Sequence, residues 1–316
     1  MPHPFRFGVQ IHHLPAQGWV ERAHRIESLG YSTVFFPDHF GTQWEPMTAL
    51  AAIAAVTTRL RVGSLVYDVD YRHPVIYAKG AATLHLLSGG RHEFGIGAGW
   101  MKTDYDEAGM AYDSAGTRIE RLDEALAVIR SMWANERTAF EGKHYQVRAI
   151  AQAAELPRGE RPKILIGGGG PRLLRLAARH ADIVGINPSL PEGRVTPETP
   201  RDMTPERLRQ KIGWVREAAA KAGRDPDTLE LNSLTFLVAI GPAAGPLREG
   251  LAKNLGMTLD EVAASPLFIT GSPAEVRDRL EKRREEFGLS YVVIQGDRDD
   301  IVDAFAEHIV APLAGR

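Results

Sequence analysis

The residues of this chain best suited to chemistry are an adjacent aspartate and histidine, Asp38 and His39. They follow the run Thr33–Phe36, which is typical of a buried β-strand. A neighbouring carboxylate can fix the tautomer of an imidazole or raise its basicity, and histidine exchanges protons near neutral pH. Adjacent strand residues point to opposite faces, so both side chains reach one site only if Pro37 turns the chain. We take Asp38 and His39 as candidate catalytic residues, with a surface pair without a role as the alternative.

Four consecutive glycines mark a second candidate site, and they are Gly167, Gly168, Gly169 and Gly170. They follow the short apolar run Ile164–Ile166 and precede Pro171, which suits the first position of a helix. Glycines let the backbone approach a ligand closely, and a helix start presents unpaired N–H groups to anions. The run lacks both the Walker and the Rossmann glycine spacing. It therefore predicts a phosphate site of another kind, with a flexible connection as the alternative.

Two further predicted strands carry small residues where a flat ligand could lie. Gly63, inside the strand Leu60–Val66, indicates a bulge or the close approach of a ligand. The next strand runs into an alternation of small residues that ends at an aromatic one, namely Gly97, Ala98, Gly99 and Trp100. This alternation leaves one face nearly bare, which would admit a planar ring with Trp100 stacked at its margin. Tight packing in the core is the alternative. His73 is a candidate polar contact or, equally, a helix cap.

The elements that must position these residues alternate between strand and helix along the whole chain. The predicted strands are Phe7–Ile11, Thr33–Phe36, Leu60–Val66, Arg91–Ile96, Ile164–Ile166, Ile183–Ile186, Leu231–Ile240 and Tyr291–Ile294. The predicted helices are Trp19–Leu29, Met47–Ala55, Val75–Leu87, Arg118–Trp133, Leu173–Ala178, Pro205–Ala222 and Pro273–Phe287. Eight such repeats in 316 residues predict an α/β fold, the (β/α)8 TIM barrel, whose chemistry lies at the carboxyl ends of the strands.

Within this one predicted domain, residues 1–316, the connection 241–270 is longer than a minimal barrel needs. It is rich in Gly, Pro and Ala and follows the seventh predicted strand, so it would lie at the rim where active-site lids occur. A surface elaboration without function is the alternative. The loop 187–204 is also placed at the border of the site.

Composition excludes several classes of function. A chain without cysteine has no disulfide, no thiol nucleophile and no cysteine-based metal site, and no clustered histidine motif predicts a metal. A formal net charge of −2 gives no excess of basic residues for binding nucleic acid or an anionic membrane. The first residues lack the apolar core of a signal peptide, and no apolar run is long enough to span a bilayer. We expect a cytoplasmic protein.

Taken in chain order, these stretches resemble the luciferase-like monooxygenase superfamily, and within it the branch that depends on coenzyme F420, a deazaflavin. The resemblance covers about residues 5 to 295, and its motifs are individually loose but collectively specific. The segments that carry it are 37–41, 57–63, 70–74, 87–91, 95–100, 167–170, 177–182 and 271–276. It implies a barrel with the ring of the cofactor at the C-terminal mouth and the cofactor's phosphate at the four glycines. It also implies a non-proline cis peptide at Ser64-Leu65 or at Leu65-Val66.

The same resemblance assigns expected roles. Asp38 would touch the deazaflavin ring, and His39, as proton donor, would lie near the carbon that carries the hydride. The expected cofactor-binding residues are Asp38, Gly63, Ser64, Leu65, Val66, Gly97, Ala98, Gly99, Gly167, Gly168, Gly169, Gly170 and Arg172. The expected substrate-binding residues are Trp44, His73 and Trp100. Relatives often form homodimers through barrel helices, which is our expectation here.

One departure from the family pattern bears on the substrate. The sugar-phosphate dehydrogenases of this group carry a catalytic glutamate directly after the fourth-strand Gly-x-Gly-x-Gly, where this chain has Trp100. An apolar or aromatic acceptor is therefore favoured over glucose 6-phosphate. The predicted activity is hydride transfer between F420 and a C=C or C=N group of a small organic substrate. An FMN-dependent monooxygenase on the same barrel is the alternative, and a barrel that binds a cofactor without catalysis is a third reading.

Overall fold

Eight parallel strands close into a barrel in the computed structural model, which describes residues 3–152, 156–157 and 159–316. In chain order the strands are β1 (Arg6–Gln10), β2 (Thr33–Phe36), β3 (Arg61–Ser64), β4 (Tyr67–Asp68), β5 (His92–Gly97), β6 (Arg137–Glu141), β7 (Gln146–Ala151), β8 (Lys163–Gly168), β9 (Ile183–Ile186), β10 (Glu230–Thr235), β11 (Leu237–Ile240), β12 (Phe268–Gly271) and β13 (Leu289–Gln295). The barrel order is β3-β2-β1-β13-β10-β9-β8-β5, and pairing of β3 with β5 closes it. This confirms the (β/α)8 prediction.

Helices follow the barrel strands and cover the outside of the barrel. They are α1 (Trp19–Ser28), α2 (Pro46–Val56), α3 (Pro74–Leu87), α4 (Lys102–Ala108), α5 (Ala115–Ala134), α6 (Pro171–His180), α7 (Pro205–Lys221), α8 (Ala244–Leu255), α9 (Leu259–Ala264), α10 (Pro273–Phe287), α11 (Asp299–Phe305) and α12 (Ala311–Leu313). Six of these helices begin at a side-chain cap. Ser272, for example, accepts a hydrogen bond from the N–H of Glu275, and the Glu275 carboxylate accepts one from the N–H of Ser272. Among the described residues, no helix has the length and apolar character to cross a bilayer.

The third barrel strand is built from two pieces, β3 and β4. Residues 65 and 66 separate them and leave the ladder, so that β3 pairs with β2 and β5 while β4 pairs with β5 alone. The sequence predicted one strand, Leu60–Val66, with a bulge or the close approach of a ligand at Gly63. This interruption lies at the carboxyl end of the strand and therefore at the end of the barrel that carries the candidate site.

The seventh predicted strand, Leu231–Ile240, was wrong in its extent. After β10 the chain turns at Phe236, whose N–H donates to the carbonyl of Leu267, and β11 then pairs in parallel with β12 outside the barrel. The insertion 241–270 contains α8 and α9 between these two strands. Helix α9 begins at a capping box formed by Thr258 and Glu261.

A buried charge cluster fills the opposite, N-terminal end of the barrel. The carboxylate of Glu93 on β5 accepts hydrogen bonds from Arg6 at 2.9 Å, from Arg61 at 2.7 Å and from the hydroxyl of Tyr291 at 2.9 Å. Burial alone would raise the pKa of Glu93, but the two guanidinium groups hold it below its ordinary value. Because this end of the barrel is packed and paired, the residues free for chemistry lie at the other end.

Candidate active site

The turn expected at Pro37 brings Asp38 and His39 to the same end of the barrel, although they meet different partners. Asp38 is buried, and its Oδ2 accepts hydrogen bonds from the N–H of Asp68 at 3.2 Å and from the hydroxyl of Tyr77 at 3.4 Å. Burial raises the pKa of Asp38 to about 6. His39 instead faces helix α4, which follows the fourth barrel strand, β5.

His39 forms a hydrogen-bonded pair with Asp104. The distance from Nδ1 of His39 to Oδ2 of Asp104 is 2.6 Å, and the hydroxyl of Tyr71 donates to the same oxygen at 3.1 Å. The ring of Trp100 lies edge-on to the imidazole, with ring centroids 5.5 Å apart. Since Nδ1 donates to the carboxylate, Nε2 remains for a substrate, in the arrangement that enzymes use to orient an acid–base histidine. Sequence reasoning missed Asp104; the one signal for it was an acidic residue shortly after the fourth strand.

The peptide bond Leu65-Val66 is cis, the second of the two positions that the resemblance implied. The carbonyl of Leu65 accepts a hydrogen bond at 2.7 Å from the side chain of Gln10, which is buried on β1. The bulge that this segment forms lies beside Asp38, because Asp68, only two residues beyond it, donates to the Asp38 carboxylate.

The bare face of β5 does not open onto free space, which corrects the expectation that it would admit a ring. A Cβ atom placed on Gly95 would lie 1.9 Å from the carbonyl oxygen of Ser64, and one on Gly97 would lie 2.7 Å from the side chain of Val66. These glycines accommodate the backbone of the bulge, which is the packing alternative. Gly63 is confined in the same way, since its Cβ would lie 2.7 Å from the carbonyl oxygen of Glu93.

The end of β5 packs against a second buried acid, Asp68. The hydroxyl of Tyr105 lies within hydrogen-bonding distance of both oxygens of Asp68, at 3.0 and 2.8 Å, and a Cβ on Gly99 would lie 2.0 Å from that hydroxyl. Gly99 also has φ +73°, which other residues rarely adopt. The side chain of Arg118 on α5 donates a hydrogen bond at 3.1 Å to the carbonyl of Ala98, which lies between these glycines. The segment Gly97–Gly99 therefore packs against the bulge and against Asp68.

The four glycines form the turn between β8 and α6 that the sequence predicted. Gly167 and Gly168 are the last part of β8, and Gly170 is the N-cap of α6. Among the described residues, the backbone N–H groups of Gly170, Arg172 and Leu173 have no acceptor. Together with the positive end of a ten-residue helix, these donors form the kind of cradle that accepts a phosphate.

The glycine turn lies next to the bulge. A Cβ on Gly167 would lie 3.8 Å from a methyl carbon of Val66 and 3.0 Å from Nδ2 in the side chain of Asn187. A surface therefore runs from Leu65-Val66 over Gly167 to the start of α6. Its chemistry fits a cofactor with a flat ring at one end and a phosphate at the other.

The remaining expected residues are placed less uniformly. Arg172 is 56% exposed and forms an ion pair of 2.9 Å with Glu120 of α5. Trp44 lies at the rim, where its backbone N–H donates to the carbonyl of His12 at 3.3 Å. His73 caps α3 by accepting from the N–H of Val75 at 3.3 Å, and its ring packs against Tyr145. The cap alternative therefore describes His73 better than substrate contact does.

Exposed apolar side chains follow three of the barrel strands. Phe40, directly after His39, is 41% exposed and stacks on Tyr71 with ring centroids 4.4 Å apart. Phe236, at the end of the seventh barrel strand, and Val195, in the loop that follows the sixth, are also exposed. In the part of the chain that the structure describes, no group of three or more histidine or acidic side chains could hold a metal ion.

Comparison with known proteins agrees with this geometry. The sequence model of the luciferase-like monooxygenase family matches residues 3–251. The F420-dependent glucose-6-phosphate dehydrogenase of Intrasporangium calvum is 27% identical over 94% of both chains. A phthiodiolone/phenolphthiodiolone dimycocerosates ketoreductase of Mycobacterium tuberculosis is 34% identical, over 85% of this chain and 78% of the relative.

The solved structure of an F420-dependent secondary alcohol dehydrogenase, in complex with an F420–acetone adduct, superposes with a TM-score of 0.78. The superposition covers 98% of this chain and 99% of the other, at 19% identity, and it therefore shows a common fold. From the family match, the sequence relatives and the closed barrel together, the chain belongs to the luciferase-like monooxygenase family.

Proposed function

We propose that the protein is an F420-dependent oxidoreductase that transfers a hydride between the deazaflavin and a C=C or C=N group of a small organic substrate. The observation that carries this proposal is the pair of His39 and Asp104, which lies at the same end of the barrel as the bulge and the glycine turn. A reduced deazaflavin supplies two electrons as a hydride and reacts poorly with oxygen, so the protein needs only to orient the reactants and provide a proton.

His39 is the proposed proton donor. Its Nε2 would protonate one atom of the double bond when the other atom receives the hydride, which balances the reduction. Asp104 orients the ring through Nδ1 and stabilises the doubly protonated imidazolium, the form in which Nε2 carries the proton to be donated. Tyr71 donates to the same carboxylate oxygen and so holds Asp104 in this orientation. In the oxidative direction the same Nε2 would accept the proton.

The expected cofactor contacts divide between the two ends of the surface described above. Asp38 and the segment Ser64–Val66 would face the ring, while Gly170 and the start of α6 would hold the phosphate. The names of the F420-dependent relatives support F420 over FMN. The cradle would accept the phosphate of either cofactor, and the titration described below distinguishes them.

The rim favours an apolar substrate. Trp100 and Phe40 present aromatic surface beside His39, and no carboxylate stands at position 100, where the sugar-phosphate dehydrogenases carry one. A carbonyl acceptor is a second candidate, because the relative at 34% identity is a ketoreductase. His39 would then protonate the carbonyl oxygen, and the hydride would go to the carbonyl carbon.

We further propose that two copies of the chain pair through α3. Helix α3 leaves Ile76, Leu86 and Leu87 on the surface, with Leu87 72% exposed. Apolar side chains of this size on one helix are typical of an interface between subunits. Sedimentation of the wild type and of Leu87→Glu tests this, because a dimer in the wild type that dissociates in the variant is expected.

Spectral titration with oxidised F420 and FMN side by side tests the cofactor. Tighter binding of F420, followed by oxygen-independent consumption of reduced F420 with an enone, an imine or a ketone, is the expected result. The substrate panel decides between the C=C, C=N and C=O acceptors. A requirement for FMN and oxygen would replace the proposal with the monooxygenase alternative.

A further inference from the structure

Lys211 of α7 is a buried lysine whose ammonium reaches the glycine turn. Its side chain is 0% exposed, and Nζ donates to the carbonyl of Gly169 at 2.7 Å, to the carbonyl of Asn187 at 3.1 Å and to Oδ2 of Asp202 at 2.6 Å. An ammonium has three N–H donors, and all three are used here. Lys211 therefore has no donor left for a ligand and cannot bind a phosphate directly.

The ammonium joins the turns that follow two neighbouring barrel strands. Gly169 follows β8, and Asn187 follows β9. Asp202 strengthens this junction, since its Oδ2 also accepts from the N–H of Ser189 at 2.8 Å and its Oδ1 accepts two bonds from Arg207, at 2.8 and 2.6 Å. A Cβ on Gly169 would lie 2.3 Å from the backbone nitrogen of Ser189, so the two turns are in direct backbone contact.

This arrangement sets the direction of one peptide group in the cradle. The carbonyl of Gly169 and the N–H of Gly170 belong to the same planar unit and point in opposite directions. Because Lys211 draws the carbonyl of Gly169 toward the protein interior, the N–H of Gly170 must point away from the interior. That N–H is one of the three donors at the start of α6 without an acceptor among the described residues.

We propose that Lys211 is a positioning residue for anion binding: it aims the N–H of Gly170 at the bound phosphate without touching the ligand. This inference rests on the proposed function, in which the glycine turn holds the phosphate of the cofactor. Asp202 offsets one of the two positive charges of Lys211 and Arg207. Because all three donors of the ammonium are used, it acts on the ligand through the orientation of the peptide.

The test compares ligands with and without the phosphate: FMN and riboflavin differ by that group alone, whereas F420 and its ribitol-terminated precursor also differ by the groups attached to the phosphate. Dissociation constants are measured for FMN and riboflavin, and for F420 and its ribitol-terminated precursor, with the wild type and Lys211→Met. Methionine keeps the length and apolar stem of the side chain. We expect the phosphate-bearing ligands to lose at least tenfold in affinity and the phosphate-free ligands to change by less than twofold. Lys221→Met, at an exposed position of the same helix, is the matched control and should change neither.

Equal losses for both ligands of a pair would make Lys211 a general structural residue and overturn the proposal, as would an unchanged preference for phosphate. A wild type without any preference for phosphate would instead contradict the phosphate site of the proposed function. The two failures are therefore distinguishable.

Two further variants keep the proposal testable if Lys211→Met does not fold. Asp202→Asn removes a negative charge near the turn but loosens the hold on Lys211 and Ser189. Positioning predicts weaker phosphate binding in this variant, whereas an effect of charge alone predicts tighter binding. The chain has no cysteine, so Lys211→Cys can be aminoethylated in denaturant and refolded to restore an ammonium at that position alone. Restored phosphate preference is expected, and no recovery would count against the proposal.

Discussion

Nδ1 of His39 lies 2.6 Å from Oδ2 of Asp104, and the two residues stand 65 positions apart in the chain. One follows the second barrel strand and the other belongs to α4, after the fourth. Parallel pairing of β2 with β3, and of β3 with β5, brings them to the same part of the barrel. This contact orients the imidazole through Nδ1 and leaves Nε2 to donate a proton from the imidazolium form or to accept one in the neutral form.

Removal of the imidazole should slow catalysis more than it weakens binding. We expect His39→Ala to reduce kcat by roughly 10²–10⁴, the range for a lost proton-transfer group, with cofactor affinity largely kept. Asp104→Asn should reduce kcat by a smaller factor, on the order of ten, because the histidine remains but loses its ionic partner. Steady-state rates and cofactor titrations measure both. Asp106→Asn, on the same helix but exposed and paired with Lys102, is the control; an unchanged rate in His39→Ala would assign the proton to another group.

An acidic side chain at position 170 should weaken phosphate binding without loss of stability. Gly170 has φ −87°, and a Cβ there has no neighbour closer than 3.7 Å, so aspartate fits. Aspartate is also a good N-cap and would itself occupy the free N–H donors. Gly170→Asp should therefore melt at or slightly above the wild-type temperature, yet bind FMN or F420 more than tenfold more weakly. Gly213→Asp, on the open side of α7, is the control. If Gly170→Asp binds these cofactors as tightly as the wild type does, the phosphate does not bind at this turn.

Gly169 is unsuitable for that experiment, although it stands at the centre of the turn. Its Cβ would lie 2.3 Å from the carbonyl carbon of Pro188, and backbone atoms cannot move aside as a flexible side chain can. We expect any substitution of Gly169 to lower the melting temperature as well as the affinity for phosphate.

Asp68 should make the protein less stable as the pH rises. Burial raises the pKa of Asp68 to about 7, and the neighbouring carboxylates of Asp70 and Asp38 act in the same direction. The unfolded chain releases this proton near a pH of about 4, so between these values the folded state binds more protons and loses stability as the pH increases. Asp68→Asn keeps the shape of the side chain and removes this penalty.

The melting temperature of Asp68→Asn, relative to wild type, should therefore be higher at pH 8 than at pH 4.5. Asp278→Asn, at an exposed site on α10, should show no such trend. Identical pH profiles for wild type and Asp68→Asn would mean that Asp68 stays ionised in the folded protein throughout this range.

The insertion 241–270 should exchange its amide hydrogens faster than the barrel helices. Helix α8 buries only Ala244 and α9 buries only Val262, whereas α6 buries Leu174, Leu176, Ala177 and Ala178. Few buried apolar contacts permit local opening at low free energy. If the insertion is a lid, cofactor or substrate should slow exchange in α8 and α9 and leave α6 unchanged. Protection equal to that of α6, with no response to ligand, would identify it as a fixed elaboration.

The sequence predicted the fold well because each repeat carries its own local signals. Strand β2 has the predicted bounds, since Thr33–Phe36 is a short apolar run between polar turns. Helix α10 also has the predicted bounds, because Ser272, Pro273 and Glu275 define its start and Gly288 its end. Such signals depend on residues a few positions apart, and they need no knowledge of the tertiary structure.

The parts that the sequence did not predict depend on distant partners. Asp104 is an ordinary acidic residue of a short helix until His39 lies beside it. Strand β12 forms because β11 leaves the barrel to pair with it. The glycines of β5 predicted an open face, but the carbonyl of Ser64, on another strand, fills the space at Gly95. The cis bond at Leu65-Val66 was placed through family resemblance and is confirmed.

The pairing of β11 with β12 makes the insertion a separable module. In the register that joins Leu237 to Phe268 and Ile240 to Gly271, the chain leaves and returns at adjacent points. A segment whose ends are already held together can change in length at little cost in chain entropy. Homologous enzymes could therefore exchange this segment as a cassette, acquiring a different cover for the mouth while the barrel, the acid–base pair and the glycine turn stay as they are.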